Sequence, residues 1–224
     1  MRRPLALLAL GFALSLGCGG ALNESTAQFK LQEAMDFEDQ GAYEQALMAV
    51  DAALGLEGLK GAELAEAYTI RGNILNELDR LEEAVSAHQA SLALDPDQAN
   101  VWTNLGVVYR LQGDYESAQE SYEKAMALDP TYPELYASLG SVLLYQGDIK
   151  GALKILDQGV LLGDDIAVMH SNRAVALAYD GRSKDAAASL VKAERLGYPN
   201  GESVLEILNE VQAGGDPMGI LAAD

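Results

Sequence analysis

The sequence predicts an all-α solenoid of five helix-turn-helix repeats closed by a C-terminal capping helix. Three observations predict it. A pattern of roughly 34 residues recurs along the chain, marked by Ala46, Ala84, Ala118, Ala152 and Ala186, whose intervals are equal except for a longer first one. Within each copy, apolar residues fall at i, i+3, i+4 and i+7, the stripe of a helix buried on one side. Gly-Asp and Asp-Pro pairs interrupt these stripes at fixed places, where a helix end and a new start are expected. Helix pairs that bury their apolar faces only against their neighbours stack into a one-dimensional array. Such arrays usually bind other proteins and seldom carry out chemistry.

The N-terminal residues 1–17 read as a secretory signal peptide. Arg2 and Arg3 form a basic start, and the apolar run from Leu5 to Leu16 is too short to be a folded protein's membrane span. That run ends in Leu14-Ser15-Leu16-Gly17-Cys18, which holds the chain's single cysteine. These residues resemble a bacterial lipobox in its permissive form, since Ser15 and Leu16 depart from the favoured aliphatic-then-small order. The resemblance implies cleavage after Gly17, a lipid on Cys18, and residues 18–26 as a lipidated tether. An unpaired exported thiol would otherwise be a liability; an ordinary signal peptide that happens to contain Cys18 is the alternative. Gly19, in place of an aspartate, points to the outer membrane facing the periplasm.

The five copies span 27–60, 65–98, 99–132, 133–166 and 167–200, within a repeat domain at 27–213. In the clearest, 99–132, Trp102, Leu105, Gly106 and Tyr109 form the first helical stripe, and Ala118, Tyr122 and Ala125 the second. Gly113 suits a left-handed helix end, Asp114 can cap the next helix, and Asp129-Pro130 stops it. Copy two keeps Tyr68, Gly72, Leu75, Ala84 and Pro96. Copy four keeps Tyr136, Leu139, Gly140, Leu143, Ala152 and Leu156, with Gly159 where an alanine is usual. Copy five keeps Ala174, Leu177, Ala186, Leu190 and Ala193, while His170 and Arg173 break its pattern. Copy one is the most divergent, known by its run from Gly41 to Ala46, and Gly61 to Leu64 lengthen the connection after it. Residues 202–213 read as the capping helix, with Val204, Leu205, Leu208 and Val211 as its apolar face, and 214–224 as a flexible tail.

Trp102, Leu105, Gly106, Tyr109, Ala118, Tyr122, Ala125 and Pro130 match every signature position of the tetratricopeptide repeat, and the chain resembles that family over its repeat domain. The resemblance implies a right-handed superhelical solenoid whose first helices line a concave groove. At 100° per residue, the groove positions fall opposite the core stripe. Copy two supplies Glu66, Thr69, Ile70, Asn73, Asn76 and Glu77, and copy three Asn100, Thr103, Asn104, Val107, Arg110 and Leu111. Copy four supplies Glu134, Ala137, Ser138, Ser141, Leu144 and Tyr145, and copy five Val168, Ser171, Asn172, Val175, Ala178 and Tyr179. Asn73 and Asn104 match the asparagines of carboxylate-clamp repeats. Thr69, Glu134 and Ser138 stand at that clamp's basic positions, so a full clamp is not expected. An asparagine amide both donates and accepts, which suits a peptide backbone; an ordinary polar groove residue is the alternative. Val107, Leu111, Leu144, Tyr145, Val175 and Tyr179 give an apolar floor for a peptide or amphipathic segment, unless the capping helix or tail folds over it.

With 15 Lys+Arg against 34 Asp+Glu the formal net charge is −19, and loss of the leader makes it about −21. Nucleic acid is therefore not an expected partner, because no basic stripe is present. No phosphate-binding loop or nucleophile elbow is present. His88 and His170, at core positions, are expected to be packed rather than to hold metal. No enzyme activity, cofactor, metal or small-molecule substrate is expected; the expected partners are a protein and, through the lipid, a membrane. The layout resembles the tetratricopeptide lipoproteins that help secretin rings of type IV pili assemble, which usually carry six repeats. An adaptor for peptidoglycan hydrolases or synthases is the alternative, and a hydrolase a remote one.

Overall fold

The computed structural model describes residues 6–199 and 201–213. The start of the expected signal peptide, the Cys18 side chain and the expected tail at 214–224 lie outside the described residues. The chain divides into two units, Met1–Asp97 and Gln98–Asp224. In the first, α1 (Ala6–Asp39) pairs with α2 (Tyr43–Gly55), and α3 (Ala62–Glu77) with α4 (Leu81–Leu94). In the second, α5 (Ala99–Leu111) pairs with α6 (Tyr115–Leu128), α7 (Pro133–Tyr145) with α8 (Ile149–Leu162), and α9 (Ala167–Tyr179) with α10 (Ser183–Arg195). Helix α11 (Gly201–Gln212) packs on α9 and α10. These are the predicted helical hairpins.

Each hairpin turns in the same way. In the α5–α6 turn, Gly113 sits at φ 75°, its N–H donates to the Arg110 carbonyl at 3.0 Å, and the Asp114 N–H donates back to the Tyr109 carbonyl at 2.9 Å. That pattern satisfies helix-end carbonyls and needs a left-handed residue. Copy two makes the same turn with Asp79 at φ 57°. Asp114 and Asp148 then cap α6 and α8, accepting from the Ser117 and Gly151 N–H groups at 3.1 and 3.0 Å.

Small residues set the spacing inside each hairpin. A Cβ on Gly72 would lie 2.5 Å from the His88 ring, one on Gly106 2.6 Å from Tyr122, and one on Gly140 2.5 Å from Leu156. Copies one and five carry Ala34 and Ala174 at this place, with Val50 and Leu190 at the second-helix position. Bulk in the second helix is matched by its absence in the first, as close packing demands. Gly159, unusual by sequence, has the same explanation: a Cβ there would meet Met169 Sδ and Tyr136 Cβ, both at 2.7 Å.

Residues that break the repeat pattern turn out to join neighbouring copies. Arg71 takes the place of a core leucine in copy two, and its Nε lies 2.7 Å from Asp51 of copy one. Arg173 takes the same place in copy five, 2.6 Å from Asp157 of copy four, and also donates to Ser189. Asp51 and Asp157 are themselves equivalent positions. His170 is buried and bonded to Asp164, which also holds Lys192 at 2.7 Å. His88 is fully buried, and neither ring nitrogen has a partner among the described residues. Burial lowers its pKa from 6.5 to about 4, so it sits in the core as neutral imidazole.

Two expectations change. Residues 22–26, expected in the tether, continue α1 as helix, and the Asn23–Glu24 backbone lies against Gly58, where a Cβ would be 2.6 Å from the Asn23 carbonyl oxygen. Packing against that loop makes them part of the first hairpin. The extra residues before copy two do not all lengthen the connection: the chain turns at Gly61, φ 53°, and Ala62 to Leu64 add a turn to α3.

Candidate functional site

Within the second unit, the first helices of successive copies surround an open cavity of about 370 Å³. Copy four lines it with every groove position expected of it: Glu134, Ala137, Ser138, Ser141, Leu144 and Tyr145. Copy five adds Val168, Ser171, Asn172 and Val175, and copy three contributes Arg110 from the last turn of α5. Tyr198, Val204 and Ile207, from α11 and the residues leading into it, form the remaining wall.

The apolar floor is only partly open. Leu144 and Val175 are each 3 % exposed, and Val204 and Ile207 are equally buried in the same apolar cluster. The capping helix thus covers the copy-five end of the expected floor. Of its expected apolar face Val204 is buried but Leu205 is 50 % exposed, Ile207 points inward instead, and the Leu208 and Val211 side chains lie outside the described residues. The i, i+3 spacing of Val204 and Ile207 places them on one side, and Leu205 is rotated about 100° away. The repeat register carried this signal, because Gly201 opens where a sixth copy would begin, so that Val204 and Ile207 occupy first-helix core positions.

The remaining walls are held firmly. Tyr145 stacks on Tyr115 with ring centroids 4.9 Å apart and planes 1° from parallel, and Gln146 donates to the Tyr115 carbonyl at 3.1 Å. Asn172 donates to the Ala137 carbonyl at 3.1 Å, tying α9 to α7. That bond uses an amide donor expected to face a ligand. Elsewhere, Asn104 lines a separate cavity of about 300 Å³ beside Asn100, Asp129 and Tyr132. Val107 and Tyr179 are partly buried, and Leu111 is half exposed.

Asn73 and Asn76 belong to the first unit, where both are partly buried. Two expected groove residues there face inward instead. Thr69 is buried, donates to the Ala65 carbonyl at 3.1 Å and shares a 2.8 Å hydrogen bond with Ser91, while Ile70 is 7 % exposed. Their helix turns these positions towards neighbouring helices rather than solvent.

Arg110 and Glu134 are the charged residues lining the larger cavity, and no ion pair joins them. Next to Arg110 and Ser138 lies the fully buried Tyr122 hydroxyl, which reaches hydrogen-bonding geometry with neither. Burial raises the Tyr122 phenol above its ordinary value, and the adjacent guanidinium works against that rise. Among the described residues, no group of three or more His, Cys, Asp or Glu is placed to hold a metal ion.

Two tetratricopeptide-repeat family models match the chain, over residues 63–131 and 109–171. Over residues 63–171 the chain carries tetratricopeptide repeats. Protein O-mannosyl-transferase TMTC1 from Mus musculus is 37 % identical over 73 residues, which cover 33 % of this chain and 8 % of that protein. The chain thus spans less than a tenth of the curated relative's length. Among solved structures, Pseudomonas aeruginosa pilF has a TM-score of 0.70 at 19 % identity, covering 90 % of this chain and 89 % of that one. YrrB, described as a TPR protein with an unusual peptide-binding site, has a TM-score of 0.65 at 21 % identity, covering 82 % and 90 %. At these identities the likeness is one of fold. A tetratricopeptide-repeat scaffold is suited to protein–protein interaction. No described helix is long and apolar enough to cross a membrane.

Proposed function

We propose that this tetratricopeptide-repeat protein is a non-enzymatic adaptor held at the bacterial envelope by a lipid on Cys18, binding a peptide or short helix of a partner protein. The observation that carries the binding site is the convergence of copy four's six groove positions with α9 and α11 on one open cavity. Its mixture of hydroxyl, amide and aliphatic groups suits a peptide, which needs both backbone partners and apolar contact. Within that class we favour assistance to secretin assembly. The lipobox-like run Leu14 to Cys18 supports this reading, as does an α11 standing in the register of a sixth repeat. The fold likeness to pilF is in keeping with it.

A crosslinked pull-down from membranes, comparing wild type with Ser141→Trp, tests the binding site. Tryptophan at this half-buried position would fill the cavity. Recovery of a secretin by wild type, and its loss with Ser141→Trp, is the expected result. Recovery of peptidoglycan hydrolases or synthases instead would move the adaptor to wall metabolism. Capture unchanged by the substitution would mean that the cavity is not the docking site. Separately, Cys18→Ala should release the protein from membranes, and retention would sink the lipid anchor.

A further inference from the structure

We propose that Arg110 is the anchor of this cavity for an acidic side chain of the bound segment, with an adjacent apolar residue of that segment lodging beside Ser141, Leu144 and Val168. The proposal deepens the peptide-adaptor reading and rests on it.

Charge carries the first part. Acids outnumber bases 34 to 15 in this chain, and what sets Arg110 apart is its place: among the described residues it is the one basic residue lining this cavity. Arg71, Arg80, Arg173 and Arg182 each hold a carboxylate, at 2.7, 2.7, 2.6 and 2.8 Å respectively. Arg110 holds none among the described residues, although Glu134 lines the same cavity. A guanidinium presents a planar fork of N–H donors matched to a carboxylate, and a partly buried one forms a stronger pair than an exposed one.

The second part is the buried hydroxyl behind it. Tyr122 is fully buried and its hydroxyl is unsatisfied, beside the two cavity-lining residues Arg110 and Ser138. A buried polar atom without a well-formed hydrogen bond costs stability until a neighbouring group, a water or a ligand completes the bonding. An incoming carboxylate on Arg110 would let Ser138 and Tyr122 complete a network around the charge. The apolar requirement follows from the remaining lining: Leu144 and Val168 line the cavity together with Ser141, and Val168 is 43 % exposed. Glu134, which lines the same cavity, disfavours a second acid in the bound segment.

The test selects phage-displayed random dodecamers on the purified full chain and measures the winners as synthetic peptides by fluorescence anisotropy. The proposal expects peptides with an Asp or Glu near a Leu, Ile or Phe. Arg110→Gln should weaken them about tenfold or more, the size expected when one side of a charge-assisted pair is removed. Replacing the peptide's acid by its amide should weaken wild type by a similar factor but barely affect Arg110→Gln. Unchanged circular dichroism and urea midpoint for Arg110→Gln establish that the fold is intact. Peptides that lose affinity with Ser141→Trp but not with Arg110→Gln would overturn the anchor and leave the cavity as the binding site. Peptides indifferent to both substitutions would overturn the cavity reading as well.

Discussion

Replacing His88 by phenylalanine should remove a block of acid sensitivity from this protein. The folded imidazole has a pKa of about 4, against 6.5 for the ordinary group. Because the folded value is depressed, the unfolded chain takes up the proton first as the pH falls. Stability is therefore lost progressively below 6.5, and the loss levels off once the pH passes the folded value. The full fall in pKa corresponds to about 3 kcal/mol, and between pH 7 and pH 5 to about 2 kcal/mol. Phenylalanine should fit, since Gly72 lies over His88 as Gly106 lies over the larger ring of Tyr122. It also removes two buried nitrogens that have no partner, which should add roughly 1 kcal/mol at neutral pH. Urea unfolding followed by circular dichroism at pH 7 and pH 5 measures both effects, an expected shift of about 1 M in midpoint for wild type between the two pH values. Other groups do not confuse the comparison. Glu38 has a raised carboxyl pKa, mainly through burial, but titrates alike in both proteins. Asp114, Asp129 and Asp164 are held below 3.8 by their hydrogen bonds, so what they contribute is lost only in stronger acid. If wild type and His88→Phe lose the same stability between pH 7 and pH 5, the imidazole is not buried and neutral, and the reasoning fails.

Gly106→Ala should destabilise the second unit by about 1–3 kcal/mol, because the new methyl would strike the rigid, buried ring of Tyr122. Adding Tyr122→Leu should recover part of that loss by recreating the Ala174 and Leu190 combination of copy five; thermal unfolding of the single and double variants checks both statements. Asp79→Gly should stabilise the first unit by up to about 1 kcal/mol, since φ 57° strains a side chain there. A lower urea midpoint for Asp79→Gly would show that the aspartate earns its place through contacts instead.

What the sequence made legible was whatever repeats. Gly106 opposite Tyr122 and the Gly113-Asp114 turn recur at fixed offsets, so one well-formed copy taught the reading of the others. The departures were harder because each is explained by a residue in another copy. Arg173 reads as a break in copy five until Asp157 is placed beside it, and Arg71 pairs with Asp51 in the same way; helical phase alone does not say which distant carboxylate will arrive. Phase also placed Thr69 on the groove, whereas a hydroxyl partner on α4 draws it inside. At the cavity, the register places Arg110, Leu144, Tyr145, Asn172 and Val175, and leaves open that the capping helix folds over the floor, but it does not point to Tyr198 or Ile207 as part of that wall. Hydrophobicity alone groups Val204 with Leu205 on one face; the register of a sixth copy and the packing of α11 on α9 separate them.

The two arginine–aspartate pairs have a consequence for how such a chain can change. Copies that share the same small residues and turns could in principle be duplicated, deleted or exchanged freely. Copy two, however, carries a half-buried guanidinium that pairs with copy one's aspartate behind it, and copy five's pairs with copy four's. Copies one, three and four all carry an acid at the position that answers it, Asp51, Glu123 and Asp157, whereas copies two and five carry Gln89 and Val191 there. Reordering is therefore restricted rather than forbidden: an arginine-bearing copy can follow any acid-bearing one, but placed behind copy two or copy five its charge would be stranded in a poorly solvated seam.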